Sequence, residues 1–316
     1  MHINESHVEA AALDWLSALG YEVLSGLAIA PGEPAAERSD YKQVFLFDRL
    51  QTKLEDLNPN IPLEGLQEAL RKLRLVNYPT LIENNRAFHR VLVEGVDVEF
   101  RNKAGEIVHD KVWLIDFANP EANEFPAVNQ FTVEEGHFNR RPDVVVFING
   151  IPLAVLELKN IADESATNRK AFDQFQTYKA QIPSLFHSNA LLVISDGHQA
   201  KLGTITSDWE RFMTWRTITG KELVAPGSLQ LETLLKGVFD KTRLLEPTLK
   251  EIARELVSHV RKSVTIDWTL RESAQAQIRV LVRRILRKYG YPPDKQEKAT
   301  QTVLEQAKLL CAEWAE

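Results

Sequence analysis

Residues 140–160 read RRPDVVVFINGIPLAVLELKN, two runs of β-branched and aliphatic residues around Asn149-Gly150. Asn-Gly between two apolar runs is the strongest short-range hairpin signal, so the stretch predicts a pair of buried antiparallel strands. Its ends are charged, with Asp143 before the first run and Glu157 and Lys159 closing the second. Side chains alternate faces along a strand, so Glu157 and Lys159 share one face and Leu158 takes the other. A plain two-residue turn at Asn149-Gly150 would set Asp143 opposite Leu156, on the wrong face from Glu157. A three-residue loop, Asn149 to Ile151, or a β-bulge would set Asp143 opposite Glu157 instead. Pro152, which lacks an N–H, disfavours a regular ladder beside the turn. If the two acids form a site, the hairpin is bulged or its loop has three residues.

Two chemistries fit such a corner. Hairpins commonly end in charged residues, and an Asp–Lys pair there is usually a weak surface ion pair. Alternatively, carboxylates at adjacent strand ends, with a neighbouring carbonyl such as that of Leu158, are hard oxygen ligands suited to Mg²⁺. A metal so held polarises a phosphoryl oxygen and lowers the pKa of a bound water. Lys159 would orient that water or offset charge on the phosphorus. The apolar strands favour the second reading, because a charge buried at their ends needs a compensating partner such as a cation. Downstream, AFDQFQTYKAQ places Gln174 and Tyr178 one helical turn apart. Taken alone that pair is an ordinary polar helix face.

The chain has 316 residues, enough for one large domain or two of ordinary size with no need of staples. It is 44% hydrophobic and 26% charged, a soluble globular composition, and no apolar run is long enough to span a bilayer. The N-terminal MHINESHVEAAALDW carries acids where a signal peptide needs basic and then apolar residues, so a cytoplasmic protein is expected. The single cysteine, Cys311, cannot form an internal disulfide and has no basic or His neighbour in sequence to activate it. The net charge is −6, but Lys250 to Tyr289 holds ten Lys/Arg against four Asp/Glu, so that stretch is +6 and the remainder −12. Basic runs usually mark solvated helix faces; a local patch can still meet phosphate or an acidic partner.

Outward from the hairpin, NESHVEAAALDWLSALG has helical period, with Ser6 and Glu9 at capping-box spacing and Gly20 able to close the helix. PGEPAAERSD (31–40) is a loop by composition, and helices are expected over roughly 41–56 and 63–75. VLVEGVDVEF and KVWLIDF, joined by NKAGE, predict a hairpin, followed by a strand at FTVEEG. After the central hairpin come a helix from about Ala166 to Ala180 and a buried strand in ALLVISDG (190–197). A crossover helix between strands implies a mixed sheet flanked by helices. Beyond Leu231 strand signals disappear, and three helices are expected near 248–263, 270–289 and 295–315, a small all-α helical domain.

RRPDVVVFINGIPLAVLELKN with QFQTYKAQIPSLF and ALLVISDG closely resembles the N-terminal nuclease region of the restriction (R) subunit of type I restriction–modification enzymes. ENNRAFHRVLVEGVDVEF, VNQFTVEEGHFNRRPD and ERFMTWRTITGKEL extend the resemblance over residues 1 to about 244. It implies a restriction-endonuclease-like α/β fold whose PD-(D/E)xK motif lands on Pro142-Asp143, Glu157 and Lys159. The family's Q-x-x-x-Y motif lands on Gln174 and Tyr178, which would hold DNA or support the site. An acid on the first helix often joins the metal site of this fold; Glu9 is the better candidate and Glu5 the alternative, though either could simply cap the helix.

Residues 247–316 resemble the other end of the same subunit, a helical region that contacts the methyltransferase and specificity subunits. The ATP-driven translocase expected between the two is absent: there is no G-x-x-x-x-G-K-[ST] loop, so no ATP binding is expected although ATP serves the full-length family. The expected organisation is a nuclease domain over 1–244 and an assembly domain over 247–316. The resemblance implies a Mg²⁺-dependent endonuclease acting on double-stranded DNA, with no membrane partner. The alternative is a catalytically idle, motor-less module that docks on the modification subunits.

Overall fold

The structure, a computed structural model, describes residues 5–75, 77–101, 105–159, 168–219, 223–225, 228–244 and 280. The chain divides into two compact units, 1–245 and 246–316. The helices expected over 248–263, 270–289 and 295–315 lie outside the described residues, apart from the exposed helical residue Val280. No helix among the described residues is long and apolar enough to cross a membrane.

In the first unit, α1 (Glu5–Ala18) leads into β1 (Glu22–Ser25), and α2 (Phe47–Leu57), α3 (Leu63–Leu75) and α4 (Leu81–Glu94) precede the hairpin β2 (Val96–Arg101) and β3 (Ile107–Val112). The strands β4 (Pro126–Asn129), β5 (Val133–Glu135), β6 (Phe138–Arg140), β7 (Val144–Ile148) and β8 (Ile151–Leu158) follow. Next come α5 (Asn168–Gln181), β9 (Leu191–Ser195), β10 (Ala200–Gly203), β11 (Met213–Thr214), α6 (Gln230–Val238) and α7 (Lys241–Leu244). Seven strands form one sheet in the order β1-β4-β7-β8-β9-β10-β11. The β1–β4 and β8–β9 pairs are parallel and the others antiparallel. This is the mixed sheet the sequence predicts, and α5 is the crossover that joins the parallel pair β8–β9.

Every residue of β7 and β8 is buried, because both faces of the sheet are covered. On one face Val144, Val146, Leu156 and Leu158 pack with Val8, Ala12 and Leu16 of α1, with α2 and α3, and with Leu231 and Leu234 of α6. On the other, Val145, Phe147, Val155 and Ile194 meet Ala171, Phe172, Phe175 and Tyr178 of α5. Strands buried on both sides read as continuous apolar runs rather than as alternation, which is how 144–148 and 151–156 read.

Several expected elements differ. Leu81–Glu94 is a helix, opened by a Thr80–Glu83 capping box, so Val91, Leu92 and Val93 belong to α4 and the strand begins only at Val96. The hairpin partner ends at Val112, where Asn58 accepts the Trp113 N–H and draws 113–117 out of the ladder. FTVEEG contributes β5, which pairs with β6 in a separate ribbon outside the main sheet. Residues 41–46 are not helical; the Leu46 N–H donates to the Gly150 carbonyl at 2.9 Å, pinning this segment to the central turn before α2 starts.

Candidate metal-nuclease site

The register of the central hairpin places the charged ends. Ile148 pairs with Ile151 around a two-residue turn, with Asn149 at φ 52° and Gly150 at φ 81°. Positive φ at both turn residues is what Asn-Gly accommodates and what matches strand twist. Phe147 then pairs with Pro152 but Val146 with Ala154, so Leu153 is the extra residue of a β-bulge. Beyond it Val144 faces Leu156. Carried one step past the last ladder pair, this register sets Asp143 opposite Glu157. The short turn and the shared face are thus reconciled by a bulge, not by a longer loop.

Asp143 precedes β7 and is buried, 9% exposed; its Oδ2 accepts the Leu158 N–H at 2.7 Å where the ladder ends. Glu157 is wholly buried, and its Oε1 accepts from Lys159 Nζ at 2.6 Å. The Lys159 side chain is 13% exposed, and its main-chain N–H donates to Ser195 O at 2.7 Å, extending β8 along β9. The pair is therefore not an exposed surface bridge. Asp143 and Glu157 together offer an all-oxygen donor set of the kind that suits a hard divalent cation.

α5 covers the same face. Tyr178 is buried beneath it, and Gln174 Nε2 donates to its hydroxyl at 2.5 Å. Burial first, and then the charge of Glu157, push the Tyr178 phenol well above its usual range. The phenol stays protonated and can only act as a neutral hydrogen-bonding group. Arg140 of β6 reaches α5 through Gln181, Nε to Oε1 at 2.6 Å.

Glu9 comes to the same strand ends by another route. Ser6 lies inside α1 and the Glu9 carboxylate is turned to β4: Oε1 accepts from Asn129 Nδ2 at 2.8 Å and Oε2 from Gln130 Nε2 at 2.5 Å. The Gln130 N–H in turn donates to Asp143 O at 2.8 Å. Of Glu5, only the main chain is described. No three His, Cys, Asp or Glu side chains among the described residues converge on one point, so Glu9 joins Asp143 through Gln130 and not by direct convergence with both acids. Asn129 and Gln130 had no role in the sequence reading. β4 is four residues long with no alternation to mark it, and the available signal was an amide pair directly after a short apolar run.

A mixed sheet with acids at the ends of a central antiparallel pair, and a crossover helix over them, defines the restriction-endonuclease-like α/β class. Residues 2–211 match the family described as the type I restriction enzyme R protein N terminus, and residues 239–313 match the C-terminal region of type I restriction enzyme HindI endonuclease subunit-like proteins. The chain is 34% identical over 247 residues to the type I restriction enzyme HindI endonuclease subunit of Haemophilus influenzae, a match covering 77% of this chain and 23% of that protein. A putative type I restriction enzyme MjaIXP endonuclease subunit of Methanocaldococcus jannaschii is 30% identical over 312 residues, covering 92% of this chain and 29% of its own length. The chain belongs to the type I restriction enzyme R protein family. It spans less than a third of the length of these two relatives, and only residues 212–238 separate its two family regions.

Proposed function

We propose that this chain is a Mg²⁺-dependent DNA endonuclease of the R-subunit class, with Asp143 and Glu157 as the metal-holding carboxylates and Lys159 beside them. The observation that carries it is the bulged register, which puts Asp143 opposite a fully buried Glu157 already held by Lys159 at 2.6 Å. Bound there, the cation supplies Lewis-acid polarisation of the phosphoryl oxygen and acidifies a water. The protein's part is positional. The Leu158 N–H fixes the Asp143 carboxylate, Lys159 holds Glu157 and offers an ammonium to developing negative charge, and Gln174 with the protonated Tyr178 supplies neutral donors to a DNA phosphate or to the carboxylates. Glu9, tied to Asp143 through Gln130, adds charge at the edge of the site. The substrate is double-stranded DNA, cut to 5′-phosphate and 3′-hydroxyl ends. The test is incubation of the chain with supercoiled plasmid in Mg²⁺ and in EDTA, with end-labelling of the products. Cleavage only in Mg²⁺, with 5′ ends that accept label only after phosphatase treatment, is expected; cleavage that persists in EDTA contradicts the assignment.

A second reading is favoured by the close approach of the two family regions, which leaves no room for a translocase between residues 211 and 239. In it, residues 247–316 dock the chain onto methyltransferase and specificity subunits while the nuclease stays idle. It predicts co-purification with those subunits, lost on deleting 247–316, and no cleavage by the isolated chain. Retained binding after the deletion argues against it.

A further inference from the structure

Gln130 sits in the left-handed region at φ 51°, one of two non-glycine residues with positive φ among the described residues. The other, Asn149, belongs to a residue type that tolerates this conformation and lies in a turn that demands it. Glutamine has no such tolerance, and a left-handed non-glycine residue persists only where its surroundings over-determine it. Here they do. The Gln130 N–H donates to Asp143 O at 2.8 Å, its side-chain amide donates to Glu9 Oε2 at 2.5 Å, and Asn129 holds the other Glu9 oxygen at 2.8 Å. From behind, Gly26 donates to Asn129 O at 2.8 Å, and a Cβ there would stand 2.4 Å from Asn129 O and 2.5 Å from Gln130 O. At this φ one residue reaches Asp143 with its main chain and Glu9 with its side chain.

We infer that Gln130 is a positioning residue of the metal site: it ties Glu9 of the first helix to the Asp143 main chain, so that the strand end carrying the Asp143 carboxylate is held fixed. This rests on the metal-site reading of Asp143 and Glu157. Groups that orient metal-holding carboxylates matter almost as much as the ligands, and their loss typically weakens metal binding about 10- to 100-fold.

The test measures Mn²⁺ binding by titration calorimetry on the full chain, with no DNA present. Q130G suits the left-handed conformation and keeps the main-chain bond to Asp143, but lacks the amide that holds Glu9. Its Mn²⁺ dissociation constant is expected to rise about tenfold or more, with the thermal midpoint in EDTA unchanged. E9Q should weaken binding comparably, and the E9Q/Q130G double variant should be no weaker than the worse single, because both remove one link. Should Q130G not fold, Q130N also tolerates the conformation and is too short to reach Glu9, so it carries the same expectation. Wild-type affinity in the folded variant, or a double variant equal to the product of the singles, overturns the inference. A wild-type chain with no Asp143-dependent Mn²⁺ uptake overturns the metal-site reading together with it; wild-type uptake with unaltered Q130G binding overturns this inference alone.

Discussion

At the residue scale the fold turns on Asn149 as much as on the charged groups. Its side chain is fully buried, donating to Leu114 O at 2.9 Å and to Asn123 Oδ1 at 2.8 Å while accepting from the Glu124 N–H at 2.8 Å. The turn is a buried junction between the central strands and the 114–124 connection. N149A removes all three bonds and strips the side-chain partner from the Leu114 carbonyl and the Glu124 N–H, while Asn123 Oδ1 still accepts the Asp116 N–H at 2.9 Å; a buried group left unsatisfied costs about 1–3 kcal/mol. Its left-handed φ adds strain for alanine. We expect N149A to lower stability by about 3 kcal/mol or more in urea unfolding; a loss under 1 kcal/mol would mean water replaces the asparagine freely. The sequence marks this turn by its Asn-Gly pair and marks Asp143, Glu157 and Lys159 by residue type. It does not mark Gln130, whose importance lies in a dihedral and in contacts with Glu9, far away along the chain.

Among the elements, β7 and β8 are legible because continuous β-branched runs bounded by a turn signal have few other outcomes. The need for a bulge or a longer loop is legible too, since face alternation forbids a plain two-residue turn with a regular ladder; that Leu153 is the extra residue is not. α4 escapes the sequence reading because Val91-Leu92-Val93 is β-prone in isolation, whereas Phe88 and Leu92 together bury one helical face. Its Thr80–Glu83 capping box was the overlooked signal. This helix is fastened to the connection before β9: Asn85 donates to the Phe186, His187 and Asn189 carbonyls, and the His89 ring bonds Asn189 O through Nε2 at 3.0 Å. Burial lowers the His89 pKa, opposed by that bond, and burial likewise lowers that of His187, opposed by Glu135. Unfolded imidazoles titrate near about pH 6.5. Below that the unfolded chain binds more protons than the folded one, so stability is present above about pH 6.5 and lost as pH falls through the lower folded values. H89Q keeps a donor for Asn189 and removes the titration. Its thermal midpoint should fall less between pH 7 and pH 5 than the wild type's; an equal fall would show that His89 is not a source of the acid sensitivity.

For the whole molecule, family membership was readable because the charged hairpin, the Gln174–Tyr178 helix and the ALLVISDG strand form a specific ordered set, and the R-protein match over 2–211 agrees. Activity is less readable, since the two family regions meet across residues 212–238 and no phosphate-loop motif is present. If the proposed nuclease acts without a translocase, its proposed metal site must be complete in itself. The direct measurement is plasmid cleavage in Mg²⁺ by the wild-type chain beside D143N and K159A, each first shown to be folded by its thermal midpoint in EDTA. The account predicts wild-type cleavage and a loss of about a hundredfold or more in each variant. Folded variants that cut at the wild-type rate would contradict it.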